Sequence, residues 1–332
     1  MHSSLIAWIL RAIPFGTIIM YGALGETVTE KSGNLNLGVP GIMYLGGFAG
    51  FASAWAYENT AANPSGAVSV VIALTCAILA SMAGGLIYAF LTISLRANQN
   101  VTGLALTTFG MGVANFFGVF ILNGASYSAA PIANKAFSAK IPVLSTLGGF
   151  GQVVFSYGFL VYAAIALAIA LHWFLTRTRA GLNLRAVGEN PATADAAGIN
   201  VTLYKYLATC IGAGICGIGG LYYVLDYNQG IWATTGQIEA LGWLAVALVI
   251  FTTWKPLNAI WGAYLFGMLY WLYQFLPTLL GITMASHITD LVQMLPYVVT
   301  IVVLIVVSMR KKKENQPPAH LGLAYFLSLI HI

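Results

Sequence analysis

The sequence predicts an all-α, polytopic helical membrane protein, and three observations lead there. Hydrophobic residues make up 59% of the chain and charged residues 7%, whereas a soluble domain needs about 25% charged residues. Mean hydropathy is +0.83, and several apolar runs reach the ~18–20 residues that cross a hydrocarbon core. The alternating ten-residue segments of a transmembrane β-barrel are absent.

Taken in order, the apolar runs predict spans near 5–24, 36–57, 67–95, 100–122, 152–175, 203–226, 237–253, 256–276 and 288–309. The first run holds Arg11 and is followed by no small-x-small cleavage site, so it reads as a retained helix. Nine full spans place the N-terminus outside, and an even count requires one more embedded piece. The expectation is therefore eight to ten transmembrane helices, with a discontinuous segment near 25–41.

That segment contains "VTEKSGNLNLGVPG". An ionised group inside the membrane costs roughly 2.5–3.5 kcal/mol on insertion scales, so Glu26, Glu30 and Lys31 belong in water or a protein-lined cavity. Gly33, Gly38, Pro40 and Gly41 break the helix and free backbone groups that a cavity must satisfy. Asn34 and Asn36 offer uncharged donors and acceptors suited to hydroxyls and base edges. Lining a path, or capping helices and hydrogen-bonding between them, explains these two residues equally well.

Glycine is frequent, at 36 of 332 residues, and small residues let membrane helices approach closely. Gly46, Gly50 and Ala54 recur at helical spacing, as do Ala208, Gly212, Cys216 and Gly220, and both stripes predict tight crossings. Cys76, Cys210 and Cys216 have neither disulfide nor metal-ligand spacing.

Orientation follows from lysine and arginine in the short loops. Arg177, Arg179, Arg185 and Lys205 mark one cytoplasmic loop, Lys255 the next, and Arg310 to Lys313 the cytoplasmic end of the last span. Counting backwards puts Arg96 and Lys31 inside too, and leaves Lys135 and Lys140 outside. Residues 1–313 form one membrane domain with a cytoplasmic loop at 176–202 and an extracytoplasmic loop at 123–151. The latter reads as a solvated connector or as a platform for an external partner. The tail, 314–332, is placed in the cytoplasm with no assigned role.

Several chemistries find no support. A phosphate-cradling G-x-x-x-x-G-K-[ST] loop is missing. His172 and His287 lack a second ligand at helical spacing, so no metal site is expected. Asp226, Glu239, His287 and Asp290 fall near span ends, where interfacial solvation explains them. In "ANQNVTGLALTTFG", Asn98, Gln99, Asn100 and Thr102 sit near the cytoplasmic end of a span. Thr107 and Phe109 lie deeper, and Phe109 and Phe116, seven apart, suit either ring stacking in a path or core packing.

The cytoplasmic loop is the most legible part. In "RAVGENPATADAAGI", Asn190 suits an N-cap, Pro191 the first helical position and Gly198 the C-terminal stop. About two helical turns lie between them, too short to be stable in water without packing. Their surface is mostly alanine, with Ala194 central and Asp195 the one charge: a slim peg in a basic collar that includes Arg185.

Four stretches carry a family resemblance: "GETVTEKSGNLNLGVPGIM", "ANQNVTGLALTTFG", "RAVGENPATADAAGI" and "WKPLNAIWGAYLFG". They resemble permease subunits of ABC-type importers, on the branch of nucleoside and simple-sugar permeases related to ribose and branched-chain amino-acid permeases. The resemblance implies that the peg is a coupling helix engaging a separate cytosolic ATPase. It also implies a solute-binding lipoprotein outside, a second and non-identical permease chain, and a small polar solute, with no nucleic acid as partner. It places 33–41 beside the translocation path. No cofactor is expected on this chain, because ATP is hydrolysed by the partner, and no catalytic site is expected either. The sequence departs from the pattern at Glu239 and at Phe251-Thr252-Thr253, where a glycine-containing turn is expected. The rival expectation is an ion-driven secondary transporter, which requires an embedded coupling carboxylate and no ATPase.

Overall fold

The computed structural model describes residues 2–121, 128–140, 148–232, 236–281, 286–310 and 316–325. The described residues are almost wholly helical. Among the described residues, five helical stretches are both long and apolar enough to span a membrane: Ser4–Lys31, Gly66–Ser94, Gln99–Ile121, Phe159–Arg177 and Val201–Tyr227. The protein is a multi-pass, all-α membrane protein.

The first helix, α1 (His2–Lys31), α2 (Val39–Thr60) and the tenth, α10 (Val201–Tyr222), form the centre. Around them lie α3 (Gly66–Ala89), α4 (Gln99–Ile121), α7 (Phe159–Arg177), α11 (Gln237–Phe251) and α12 (Pro256–Leu280). The glycine stripes fall at the crossings between these elements. A Cβ on Gly220 would lie 1.9 Å from the Met43 carbonyl oxygen, and one on Gly25 2.3 Å from that of Gly212. Lipid gives helices no hydrophobic reason to associate, so this backbone-to-backbone contact supplies the packing.

Two expected spans are divided. The run at 152–175 begins in a separate short helix, α6 (Gly148–Phe155), and continues as α7. The run at 288–309 becomes α13 (Ser286–Gln293) and α14 (Leu295–Arg310). Pro296, in the first turn of α14, has no amide hydrogen to donate back to Val292, which fits a break there.

The loop at 123–151 is more built than a solvated connector. It holds α5 (Pro131–Phe137), with Ala133 and Phe137 fully buried. Glu58 caps this helix, its carboxylate accepting from the amides of Ile132 (3.1 Å) and Ala133 (2.6 Å), where the helix dipole favours negative charge. Nearby, β1 (Ser128–Ala129) pairs antiparallel with β2 (Ile231–Trp232). Residues 122–127 and 141–147 of the loop lie outside the described residues.

Asp226 corrects an expectation. It sits in a π-helical turn, Tyr223–Tyr227, and its Oδ2 is enclosed with no hydrogen-bond partner among the described residues. Packing against Gly158, where a Cβ would lie 2.5 Å from that oxygen, shuts it away from interfacial water.

Candidate functional site

The loop at 176–202 contains the short capped helix that the sequence predicts. Its first part is an amphipathic helix, α8 (Arg179–Glu189), capped by Thr178, whose Oγ1 accepts from the Gly181 amide at 3.0 Å. Asn190 ends α8 and starts the peg, α9 (Pro191–Ala196): its amide donates to Ala186 O at 2.9 Å and its Oδ1 accepts from Thr193 N at 3.0 Å. Gly198 closes the peg with φ +81°, and its amide donates to Asp195 O at 2.9 Å. A Cβ there would meet nothing within 4 Å, so the left-handed backbone, not crowding, calls for glycine.

The peg stands on an apolar foot. Ala194, 3% exposed, clusters with Val187 and Val201, and Ile199, Tyr204 and Tyr325 pack around them. This supplies the packing a two-turn helix needs, and it changes the part assigned to Ala194, which lies beneath the peg and not on its outer face. The outer face is Ala192, Thr193, Ala196 and Ala197, all exposed, with exposed Arg185 behind it. Arg185 lines a cavity of about 350 Å³ with Lys31, His172 and Lys255. Of the cations expected on one side of the membrane, Lys31, Arg185 and Lys255 share this cavity. Lys205, expected on the same side, is 3% exposed in the first turns of α10 and not a loop residue.

The second site is the central break. Helix α1 runs through Lys31, so the discontinuity is narrower than 25–41 and spans Ser32 to Gly38. Gly33 turns the chain at φ +88°. The freed backbone groups find protein partners, not an open cavity. Leu35 N donates to Gln99 Oε1 at 2.7 Å, Asn36 N to Glu26 Oε1 at 2.9 Å, and Thr107 Oγ1 donates to Leu37 O at 3.0 Å. The Tyr88 hydroxyl donates to Leu35 O.

The expected path residues therefore separate. Asn34 and Asn36 are each 1% exposed. Asn34 Nδ2 donates to Thr209 Oγ1 at 3.0 Å, and Asn36 Oδ1 accepts from Gly38 N at 2.9 Å. Gln99 and Thr107 hold the break, and Thr102 Oγ1 donates to Asn98 O at 2.8 Å. Asn98 is exposed and caps α4 through Val101 N at 3.1 Å, while Asn100 is exposed beside it. Phe109 and Phe116, 51% and 65% exposed, face away from this chain's core, which removes core packing as their explanation.

Sequence reading kept Glu26 and Glu30 out of lipid, in water or a protein-lined cavity, but did not read them as a pair. Glu26 and Glu30 are both buried, at 0% and 2% exposure. The Trp254 indole donates to Glu30, pinning the turn after α11 to the end of α1. In that turn Thr253 and Trp254 both take φ +55°, the left-handed region a glycine would enter freely. The spacing of the two glutamates, i and i+4 on one helical face, was the signal available.

Residues 316–325 of the tail, to which no role was assigned, lie against both sites. His320 N donates to Gly188 O at 3.0 Å and Gly322 N to Gly33 O at 3.1 Å. Burial, followed by the nearby charge of Lys205, pushes the His320 imidazole below its usual pKa.

The fold and these two sites define a multi-pass membrane protein with a broken central helix and a capped peg at one end. The chain belongs to the family described as branched-chain amino acid transport system / permease component, whose model matches residues 8–306. It is 35% identical over 272 residues to the putative glucose ABC transporter permease protein TsgC13 of Haloferax volcanii, covering 80% of this chain and 77% of that one. It is 30% identical to the nucleoside ABC transporter permease protein NupC of Lactococcus lactis subsp. cremoris, covering 87% and 88%. To the guanosine ABC transporter permease protein NupQ of Bacillus subtilis it is 33% identical, covering 74% and 75%. No solved structure matches the chain. The protein is an ABC importer permease of the nucleoside and simple-sugar branch, and that class implies an ATPase partner and a second permease.

Proposed function

We propose that this chain forms half of a translocation path for a nucleoside or simple sugar, and that α9 is the coupling helix through which a cytosolic ATPase drives it. The observation that carries this reading is the peg itself: capped at both ends, footed on Ala194, and presenting a smooth outer face of small residues. A short helix so held transmits a push as a rigid body, and its small side chains suit insertion into a partner's groove. Closure of two ATPase subunits on ATP would draw the two pegs together and rock the permease halves between outward- and inward-open states. The chain contributes no catalytic group; ATP is hydrolysed by the partner. A lipoprotein delivers solute from outside, the second permease is a non-identical chain, and the peg and tail face the cytoplasm. The relatives' names, and the shared cavity of Lys31, Arg185 and Lys255, support this arrangement.

The test is reconstitution with the neighbouring permease and ATPase, assayed with labelled nucleoside, pentose and branched-chain amino acid. Ala196→Trp on the outer face should leave insertion intact and abolish ATPase association in pull-down. Normal association would make the peg a connector. Uptake driven by a proton or sodium gradient without the ATPase would favour the secondary-transporter reading. The buried Glu26 and Glu30 supply the embedded carboxylates that reading requires, although Glu26 already holds Asn36 N and Glu30 the Trp254 indole.

A further inference from the structure

We propose that residues 318–325 form a coupling strap that binds the peg to the central break, so that both move as one body. The proposal rests on the reading of α9 as the coupling helix.

Without the tail, the peg meets the membrane domain through α8, α10 and its small apolar foot. The strap adds ties to four separate segments within six residues. Its His320 amide donates to Gly188 O, one turn before the peg, at 3.0 Å, and its Gly322 amide donates to Gly33 O, at the break, at 3.1 Å. Tyr325 donates its hydroxyl to Asp195 Oδ2 on the peg at 3.4 Å and packs against the foot of Ala194, Val187 and Val201. Leu323 O accepts from Gln99 Nε2 at 3.4 Å, while the other end of that carboxamide holds Leu35 N at 2.7 Å. Gln99 thus joins strap, break and α4.

Glycine makes the junction possible. Gly33 and Gly322 have φ of +88° and +79°. A Cβ on Gly188 would lie 2.2 Å from Lys31 O, so α8 touches the end of α1 backbone to backbone. Gly33 and Gly188 are buried and the strap's His320 and Gly322 half-buried, so these two backbone hydrogen bonds are partly shielded from water and resist shear better than exposed side-chain pairs. A push on Asp195 or Glu189 is therefore delivered to Ser32–Gly38 directly, in addition to passing along the length of α10.

Two variants test this in the complete complex with ATPase and second permease in proteoliposomes. His320→Pro deletes the amide that reaches Gly188 O. The expected result is normal assembly and ATP hydrolysis with uptake reduced about tenfold, within the usual span of coupling free energies. In Leu35→Cys/Gly322→Cys, a Cβ at 322 would lie 3.8 Å from that of residue 35, within the ~3.5–4.5 Å of a disulfide. Because φ +79° at residue 322 strains any side chain placed there, the reduced double variant is the reference: oxidation should pin strap to break and leave that reference uptake unchanged, with oxidised wild-type chain controlling for Cys76, Cys210 and Cys216. Full uptake per ATP by an assembled His320→Pro complex would overturn the strap, as would loss of uptake on oxidation that a reductant restores. Should His320→Pro fail to assemble, the disulfide pair decides. Absence of ATP-driven uptake in the unmodified complex would instead count against the coupling-helix reading.

Discussion

Glu26 separates a structural carboxylate from a proton-coupling one. Its Oε1 is the acceptor for Asn36 N at 2.9 Å, and Asn36 is 1% exposed, so no water stands ready to replace it. Glu26→Ala leaves that donor orphaned, at a cost of about 1–3 kcal/mol, and opens a void beside Cys216. Glu26→Gln keeps an acceptor oxygen in place and removes only the ionisable group; Oε2, which it replaces, has no hydrogen-bond partner among the described residues. The alanine variant should therefore lose roughly 2 kcal/mol of stability while the glutamine variant stays near wild type. Thermal denaturation in detergent, followed by tryptophan fluorescence, compares them. ATP-driven uptake should survive in Glu26→Gln. A folded glutamine variant with no uptake would refute the structural role and revive ion coupling at this carboxylate.

Three further outcomes are expected. Asn190→Ala should cost about 1 kcal/mol by deleting the cap on Thr193 N, seen as faster amide exchange across Pro191–Ala196 and weaker ATPase pull-down. Gly41→Ala, whose Cβ would lie 2.3 Å from Leu106 O, should lower the folded yield on size exclusion, whereas Gly112→Ala, with nothing within 4 Å, should not. Thr253→Gly should raise the melting temperature by relieving a left-handed residue worth about 1–2 kcal/mol, with no loss of uptake; an unchanged or lower melting temperature would show that the turn is unstrained.

Much of the peg was legible because its determinants are local. Asn190, Pro191 and Gly198 act on backbone groups within four residues of themselves, and a cap needs no distant partner to be recognised. The apolar spans were legible for a similar reason: length and hydropathy are properties of one segment. Gly33 and Pro40 likewise announced a break. What the break's polar residues do was not readable, because the partners of Asn34 and Leu35, Thr209 and Gln99, lie 175 and 64 residues away. The burial of Ala194 was hidden for the same reason, since its foot is assembled from two other helices and the tail.

The sequence by itself therefore determined the all-α membrane character, the place of the break, and a capped peg. Those follow from short-range chemistry and from what lipid tolerates. Only the tertiary structure decided which residues satisfy the broken backbone, that two glutamates are shut inside, and that a tail without recognisable pattern lies across peg and break. Each of these depends on contacts between segments far apart in the chain, and hydrogen bonding across such distances leaves no periodicity to read.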